Sequence, residues 1–262
     1  MNKVAMAIAA HPDDIEFMMA GTLCLLKNAG YEIHYMNLST GNCGSLETDS
    51  ETTTRIRLEE GKNAAKILGA GFHGPITNDF EILYVPELLK KLAAVVRTVK
   101  PQIILTHSPI DYMEDHMNTS RLATTAAFVR GIPNFQTSVP AVGNYDCAIY
   151  HAMPHSLLDP LRRRVIPGVF IDIASVVQKK RDALKAHKSQ QNWLEDSQGM
   201  NSYIKTQEDF ELQVGKMSGR FTHAEGWRRH LHFGFSASEY DPLAELGALY
   251  FNGETEHDLI SL

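Results

Sequence analysis

The chain has 262 residues, of which 44% are hydrophobic and 21% are charged, the proportions of an ordinary globular protein. Its 18 glycines and 11 prolines are too few for a collagen-like or low-complexity chain, and its net charge of −6 argues against a broad surface for nucleic acid or an anionic membrane. Three widely spaced cysteines, Cys24, Cys43 and Cys147, form no CxxC pair, so we expect a reducing, cytoplasmic environment and no disulfide framework.

The longest apolar run extends from Val4 to Ala10 and is too short to cross a bilayer. It leads directly into His-Pro-Asp-Asp, which does not resemble a signal-peptidase cleavage site. We therefore expect no membrane association. The length of this run and its branched apolar residues instead predict a buried strand.

Strands and helices alternate through the first half of the sequence. The predicted strands are Val4–Ala10, Ile33–Leu38 and Gln102–Thr106, and the predicted helices run from about Phe17 to Gly30, from Thr53 or Thr54 to Leu68, over Pro86–Val99, and from about Asn118 to Phe128. This alternation is typical of an α/β fold in which a mostly parallel sheet with right-handed crossovers is flanked by helices.

After Arg130 the pattern becomes weaker. Further strands are predicted at Ala148–Ala152 and Val169–Ile173, and a charged amphipathic helix at Ser175–His187. Neither a linker nor an internal repeat is visible in the sequence. We therefore expect a single domain with a core at about residues 3–190 and a C-terminal elaboration at about residues 191–262.

The segment Ala10-His11-Pro12-Asp13-Asp14-Ile15-Glu16 directly follows the first predicted strand. Ligands of open α/β sheets bind outside the carboxyl ends of the strands, so this turn lies in a favoured place. Its imidazole and two carboxylates offer metal ligands and a spare base. Alternatively, Asp13 or Asp14 simply caps the next helix, and this segment by itself leaves both interpretations open.

A second polar segment, Thr106-His107-Ser108-Pro109-Ile110-Asp111-Tyr112-Met113-Glu114-Asp115-His116, follows the predicted strand at Gln102–Thr106. It belongs to the same edge of the sheet as the first segment. A mixed His and Asp site with a vacant position is typical of catalytic zinc, whereas structural zinc prefers four Cys or His ligands. The scattered cysteines do not supply such a closed set.

With Ala-His-Pro-Asp-Asp at 10–14 and Asp-Tyr-Met-Glu-Asp-His at 111–116, the sequence resembles the PIG-L or LmbE-like de-N-acetylases, zinc-dependent enzymes that remove acyl groups from amino sugars. The stretch from Arg57 to Gly69 is similar to the first long helix of that family, and Lys179–Gln190 resembles a later segment that ends in Ser-Gln. The resemblance covers residues 3–152 well. It implies a Rossmann-like α/β fold and assembly as a homo-oligomer.

The resemblance also implies three metal ligands, His11, Asp14 and His116, and a general base, Asp13. The implied metal is Zn²⁺, although His and Asp ligands also accept Fe²⁺, Mn²⁺ or Co²⁺. Asp115, which stands beside His116 in the sequence, is expected to hold the imidazole of that ligand in one tautomer.

Position 113 departs from the family pattern. Many relatives carry a histidine there that assists the transition state, whereas this chain has Met113. Tyr112, His151 and His155 are candidates to replace that histidine. One of them is expected to help the metal stabilise the oxyanion.

The resemblance further suggests that Arg57 and Asp79 face the substrate. The alternatives are that Arg57 forms an ordinary ion pair with a nearby Glu and that Asp79 is an ordinary turn residue. Both side chains are expected to share one mouth with the loop Leu38–Ser50, whose Ser, Thr and Asn residues suit a polyhydroxylated ligand. This loop offers only Leu46 as an apolar wall, so a small N-acetyl amino sugar is expected over a lipid amide.

The expected function is therefore metal-dependent hydrolysis of the acetamide of an N-acetylated amino sugar or sugar conjugate. Two alternatives remain: an amidase for another acyl amide, such as a thiol–sugar conjugate, and a non-catalytic, metal-containing carbohydrate-binding protein. The expected partner is a small amino-sugar substrate, with no nucleic acid and no membrane. The aromatic and basic segment Arg220–Arg229 is expected either to border the pocket or to serve packing or an interface.

Overall fold

A computed structural model describes residues 3–143, 145–191 and 203–251. The helices are α1 (Asp14–Met18), α2 (Ala20–Asn28), α3 (Ser50–Leu68), α4 (Pro86–Val99), α5 (Glu114–Phe128), α6 (Val177–Leu184) and α7 (Tyr203–Ser218). The strands are β1 (Val4–Ala9), β2 (Glu32–Asn37), β3 (Gly71–His73), β4 (Ile103–Thr106), β5 (Ala148–Ala152), β6 (Val169–Asp172), β7 (Ala224–Arg229) and β8 (Leu249–Tyr250). Residues 188–191 are also helical.

The strands form one eight-stranded sheet in the order β3-β2-β1-β4-β5-β7-β6-β8. Strands β3, β2, β1, β4 and β5 run parallel to one another, whereas β7 is antiparallel to both β5 and β6, and β8 is antiparallel to β6. The predicted α/β fold with a mostly parallel sheet is confirmed. The antiparallel strands come from the part of the chain where the sequence pattern weakens.

The topology creates a crevice at the carboxyl ends of β1 and β4. The chain passes from β1 to β2 on one side, while β4 lies on the other side of β1, so the strand order reverses between β1 and β4. Ile8 pairs with Thr106 near the ends of these two strands. Open α/β sheets bind their ligands at such a switch point, and both polar segments begin there.

The core lies on both faces of the sheet. Along β1, Ala5, Ala7 and Ala9 pack into one buried apolar cluster, whereas Met6 and Ile8 pack into the other. Alternate side chains of a strand point to opposite faces, so β1 is buried on both sides. This explains the continuous apolar run that marks the strand in the sequence.

Several predicted boundaries differ from the observed ones. Helix α3 begins at Ser50, because the Asp49 carboxylate accepts a 2.8 Å hydrogen bond from the Thr52 N–H and caps the helix. The predicted cap, Thr53, instead donates its hydroxyl to the Asp49 carbonyl at 2.7 Å. Helix α5 also begins early, at Glu114, so the second polar segment ends inside a helix rather than in a loop.

The second half of the described chain holds structure that the sequence did not predict. The Arg220–Arg229 segment contains β7, a strand between β5 and β6, and its Trp227 is fully buried. None of its residues lines the cavity at the carboxyl ends of β1 and β4, so the structure agrees with the packing alternative rather than with the pocket border. Of the predicted C-terminal elaboration, residues 192–202 and 252–262 lie outside the described residues.

A buried ion-pair network ties β7 to the first half of the chain. The Glu225 carboxylate accepts hydrogen bonds from the Gly21 and Thr22 N–H groups at 2.8 and 2.7 Å. Lys180 Nζ lies 2.7 Å from this carboxylate and 3.1 Å from that of Glu211, and all three charged side chains are buried.

Within the described residues, no helix combines the length and hydrophobicity needed to span a bilayer.

Candidate active site

A cavity of about 340 Å³ opens at the switch point of the sheet. Its floor carries the side chains of both polar segments, among them His11, Asp13, Asp14 and His116. The predicted convergence of the two segments at one edge of the sheet is therefore observed.

His11, Asp14 and His116 bring three potential ligand atoms together at the floor of the cavity. The Asp14 carboxylate lies 3.4 Å from His11 Nδ1 through one oxygen and 3.4 Å from His116 Nε2 through the other. All three residues are buried. Asp14 also accepts the His11 backbone N–H at 2.7 Å, which fixes the carboxylate between the two rings.

Each of the two histidines has its outer ring nitrogen held by a further carboxylate. Asp115 lies 3.1 Å from His11 Nε2, and Asp111 lies 3.1 Å from His116 Nδ1. Because a carboxylate only accepts, the ring nitrogens facing Asp115 and Asp111 carry the protons. The other nitrogen of each ring lies on the side of Asp14 and would give its lone pair to a bound metal ion.

This arrangement corrects the predicted role of Asp115. The sequence neighbour of His116 orients His11 instead, and Asp111 orients His116. Asp115 and His116 are consecutive in the first turn of α5, and consecutive helical side chains point about 100° apart. Adjacency in the sequence therefore could not identify the partner.

The donor set fits a divalent cation. Two imidazoles, which would be neutral when they ligate a metal, one carboxylate and space in the adjoining cavity match the ligands and the open position of catalytic zinc sites. Burial lowers the pKa of His11, but hydrogen bonds to Asp115 and Asp14 outweigh it and raise that pKa to about 9. Burial likewise opposes protonation of His116, whereas Asp14 and Asp111 raise its pKa to about 10. The surrounding carboxylates thus stabilise positive charge at this position.

A second set of three side chains also converges, formed by His107, Asp111 and His116. Asp111 already holds His116, and His107 Nε2 accepts the Ala10 N–H at 2.9 Å. The His107 ring stacks on that of His116 with centroids 4.1 Å apart. We therefore regard His107 and Asp111 as supports of His116 rather than as a separate site.

Asp13 lies beside the ligand set but has other partners. Its backbone φ is 109°, a conformation that non-glycine residues rarely adopt, and its carboxylate lies 3.4 Å from Arg57 Nη2. Burial raises the pKa of Asp13 to about 6, although Arg57 opposes this shift. Burial and the nearby Asp13 carboxylate raise the pKa of Tyr203, which also lines the cavity.

Arg57 and Asp79 line the cavity as predicted, but both have partners within the protein. The Arg57 guanidinium donates to the carbonyls of Pro12 and Gly41 in addition to facing Asp13. The Asp79 carboxylate accepts hydrogen bonds from the backbone N–H groups of Gly41 and Cys43 and from the Ser39 hydroxyl, at 2.7–2.9 Å. The two side chains therefore shape the loop and orient Asp13 rather than offering free groups to a ligand.

The three candidates to compensate for Met113 lie in different places. Tyr112 and His155 line the cavity with Met113, whereas His151 is not among the described residues that line it. His151 Nδ1 lies 3.1 Å from the Ser120 hydroxyl and 2.9 Å from the His107 carbonyl, and its Nε2 lies 3.0 Å from His230. The structure thus places the His151 ring against α5 and the segment after β7, and we do not carry this residue into the proposal.

Several cavity residues were not predicted from the sequence, namely Phe17, Met18, Phe80, Gln190 and Tyr203. Gln190 donates to the Gly44 carbonyl at 3.0 Å, and Tyr203 stacks on Phe17 with ring centroids 5.6 Å apart. The Ser-Gln ending of Lys179–Gln190 is a signal for Gln190, but it indicates no role for that residue. Tyr203 had no local signal, since it reaches the cavity from a helix far along the chain.

The chain is similar in sequence to a family of deacetylases and to individual enzymes. Residues 6–127 match the family described as PIG-L, GlcNAc-PI de-N-acetylase. A diacetylchitobiose deacetylase of Thermococcus kodakarensis is 31% identical over 240 residues, which are 86% of this chain and 82% of that protein. A probable N-acetyl-alpha-D-glucosaminyl L-malate deacetylase 2 of Bacillus cereus is 26% identical over 211 residues, which are 75% of this chain and 88% of that protein.

Among solved structures, a 4-carboxy-2-hydroxymuconate hydratase from Pseudomonas putida KT2440 superposes with a TM-score of 0.74. It is 25% identical in sequence, and the match covers 91% of this chain and 99% of that one. The predicted resemblance is thus confirmed over most of the chain, and the relatives include deacetylases and a hydratase. The chain belongs to the PIG-L (GlcNAc-PI de-N-acetylase) family.

Proposed function

We propose that the chain is a metal-dependent N-deacetylase that converts an N-acetylated amino sugar or sugar conjugate and water into the free amine and acetate. One observation carries the proposal: His11, Asp14 and His116 converge at the cavity floor with the Asp13 carboxylate beside them. The two relatives named as deacetylases of N-acetylated sugars support this reaction class.

His11, Asp14 and His116 would hold the metal, with zinc as our first choice and Fe²⁺, Mn²⁺ or Co²⁺ as alternatives. A divalent ion supplies Lewis-acid polarisation of the amide carbonyl and of the attacking water. Asp115 and Asp111 keep the two imidazoles in the ligating tautomer.

Asp13 is the proposed general base. Its carboxylate accepts the proton that water loses during attack on the carbonyl carbon, and it returns that proton to the departing amine nitrogen. Arg57, whose Nη2 lies 3.4 Å from this carboxylate, orients it. Tyr112, whose ring lies 5.6 Å from that of His116, is the proposed donor to the oxyanion.

The cavity suits a sugar better than a long acyl chain for a reason that differs from the predicted one. Its lining combines buried polar groups, among them Asp13 and His116, with aromatic side chains such as Phe17, Phe80 and Tyr112. A pyranose presents hydroxyls at its rim and C–H bonds on its faces, so it matches both kinds of surface. Leu46, the apolar residue expected at the mouth, does not line this cavity.

We also retain two proposals about the protein in the cell. Cys24, Cys43 and Cys147 are free, which is consistent with a reducing compartment. The exposed Leu231 and Phe233 that follow β7 are consistent with a homo-oligomer. Light scattering of the purified protein measures its oligomeric state.

A panel assay tests the proposed function. Purified protein is analysed for bound metal and incubated with N-acetylglucosamine, its β-linked disaccharide, an N-acetylated thiol–sugar conjugate and an unsaturated dicarboxylate, while released acetate and hydrated product are measured. We expect acetate release from an N-acetyl sugar, and its loss in Asp13→Asn. Hydration of the dicarboxylate without any acetate release would replace the proposal with the reaction of the Pseudomonas relative.

A further inference from the structure

Phe80 has an unusual backbone conformation at the mouth of the cavity. Its φ is 62°, a region that favours glycine, and its side chain is 67% exposed to solvent. An exposed aromatic ring gains little from burial in the core, so folding alone does not explain the strain. Residues held in such conformations cluster at ligand-binding sites, where the surrounding structure over-determines them.

Two carboxylates hold Phe80 in place. The Phe80 N–H donates to Asp115 at 2.7 Å, and the same carboxylate oxygen lies 3.1 Å from His11 Nε2. The residue before it, Asp79, is pinned by its hydrogen bonds to the loop that contains Gly41 and Cys43. The Phe80 backbone is thus fixed by the same group that orients a proposed metal ligand.

The ring of Phe80 lines the cavity together with that of Tyr112, which is 59% exposed. Aromatic rings at a cavity mouth bind flat apolar surfaces, whereas the proposed ligands and Asp13 are buried. A substrate whose acetamide reaches the floor would leave the next ring of the molecule at the height of these two aromatic side chains.

We propose that Phe80 is a specificity-determining residue that binds the apolar face of a ring attached to the acetamido sugar, either a second pyranose or an aryl aglycone. This rests on the proposed deacetylase function. We call the Phe80 ring the aromatic platform. The Asp115 carboxylate contacts both the Phe80 N–H and His11, so this one group positions the platform relative to a proposed metal ligand.

Three variants at position 80 test the proposal, with Leu83→Ala as control, since Leu83 is also exposed but is not among the residues that line the cavity. Phe80→Ala is expected to raise KM for the β-linked disaccharide and for the phenyl β-glycoside of N-acetylglucosamine by about tenfold. For the monosaccharide, KM should stay within about twofold, since it carries no second ring. Phe80→Trp should retain the preference for the larger substrates.

Phe80→Gly provides a readout that needs no substrate. Glycine tolerates a φ of 62° without strain, so this variant should unfold at a higher temperature than Phe80→Ala, although both lack the ring. A Gly variant no more stable than the Ala variant would remove the strain argument. An equal rise in KM for the monosaccharide and the disaccharide in Phe80→Ala would show that Phe80 does not bind the attached ring.

Calorimetric binding of the phenyl β-glycoside separates this proposal from the proposed function. If wild-type protein releases acetate and Phe80→Ala binds the glycoside with wild-type affinity, the proposed role of Phe80 is wrong, whereas the proposed deacetylase function is supported. If wild-type protein releases no acetate but Phe80→Ala binds the glycoside about tenfold more weakly, the function is wrong and the platform stands. If Phe80→Ala raises KM only for the disaccharide, the attached ring is a pyranose, and if it raises KM only for the phenyl glycoside, the attached ring is aromatic.

Discussion

The part of the chain up to residue 152 and the part that follows contribute differently to the site. The first part supplies the proposed ligands and base from two contiguous segments at the ends of neighbouring parallel strands, β1 and β4. The second part supplies His155, Gln190 and Tyr203, which form walls of the same cavity. The proposed ligands and base thus come from two short segments of the sequence. The shape of the cavity also depends on residues that are far apart in the chain.

The difference follows from the topology. Parallel strands of an open sheet all end at one edge, so a short polar segment after each strand reaches the same place whatever the intervening helices are. The second part instead folds back through antiparallel strands β6, β7 and β8. Two of its cavity residues, Gln190 and Tyr203, come from the helical region between β6 and β7.

The strongest test of the first part is His116→Ala. Because this side chain is one of three proposed ligands, the variant should lose the bound metal and with it the acetate release, down to background. Metal content is measured by plasma emission spectrometry. Glu114→Ala, an exposed position in the same turn of α5, is the matched control and should keep both. Wild-type metal content in His116→Ala would exclude this ligand set.

Asp13→Asn separates metal binding from catalysis. We expect kcat to fall by about 10²–10⁴, the usual contribution of a general acid–base group, while the metal content stays at the wild-type level. Steady-state kinetics and metal analysis on the same preparation check both expectations. Loss of the metal as well would make Asp13 a ligand, and unchanged kcat would remove it from the mechanism.

Lys180→Met tests how firmly the second part is attached. The substitution leaves the Glu225 and Glu211 carboxylates buried without their cation, which typically costs about 3–5 kcal/mol of unfolding free energy. Urea denaturation measures this change. Lys185→Met, in an exposed pair with Asp182 at 4.0 Å, is the control and should change stability by no more than about 0.5 kcal/mol. Equal stability of the two variants would show that the network does not tie the halves together.

The sequence predicts the elements best where local signals coincide with the final environment. Helix α4 has the predicted bounds, Pro86–Val99, because Pro86 suits the first helical turn and Lys100 ends it in the left-handed conformation. Strand β5 is likewise predicted in full, as Ala148–Ala152. Strand β7 was missed because Ala224–Arg229 contains Glu225 and two arginines, which do not indicate a buried strand.

The same distinction holds for the site. The motifs identified the residues now proposed as ligands and base, since each motif carries its chemistry within a few positions. They could not assign Asp115 to His11 rather than to His116, because that depends on where α5 begins. They also could not show that Arg57 already has backbone carbonyls as partners or that His151 points away from the cavity.

The two orienting carboxylates give a finer test of the first part. Asp115→Asn and Asp111→Asn should each weaken metal affinity by about 10–100-fold, because the amide does not hold the imidazole in the ligating tautomer as well as a carboxylate. Competition with a chelator measures these affinities. Full retention of affinity in Asp115→Asn, together with a loss in Asp111→Asn, would mean that His11 needs no orienting partner.

Gln190→Ala should have the smallest effect and tests the second part alone. The variant removes the 3.0 Å hydrogen bond from Gln190 to the Gly44 carbonyl, so the loop that carries Cys43 and Gly44 loses one tether at the cavity wall. A neutral hydrogen bond of this kind contributes about 0.5–1.5 kcal/mol, which corresponds to a rise in KM of about two- to tenfold. Because Gln190 contacts neither the proposed ligands nor Asp13, kcat and metal content should not change. Gln191→Ala, at the neighbouring position, should leave KM at the wild-type value. A fall in kcat without a change in KM would show instead that the second part contributes to the chemistry as well as to the walls of the cavity.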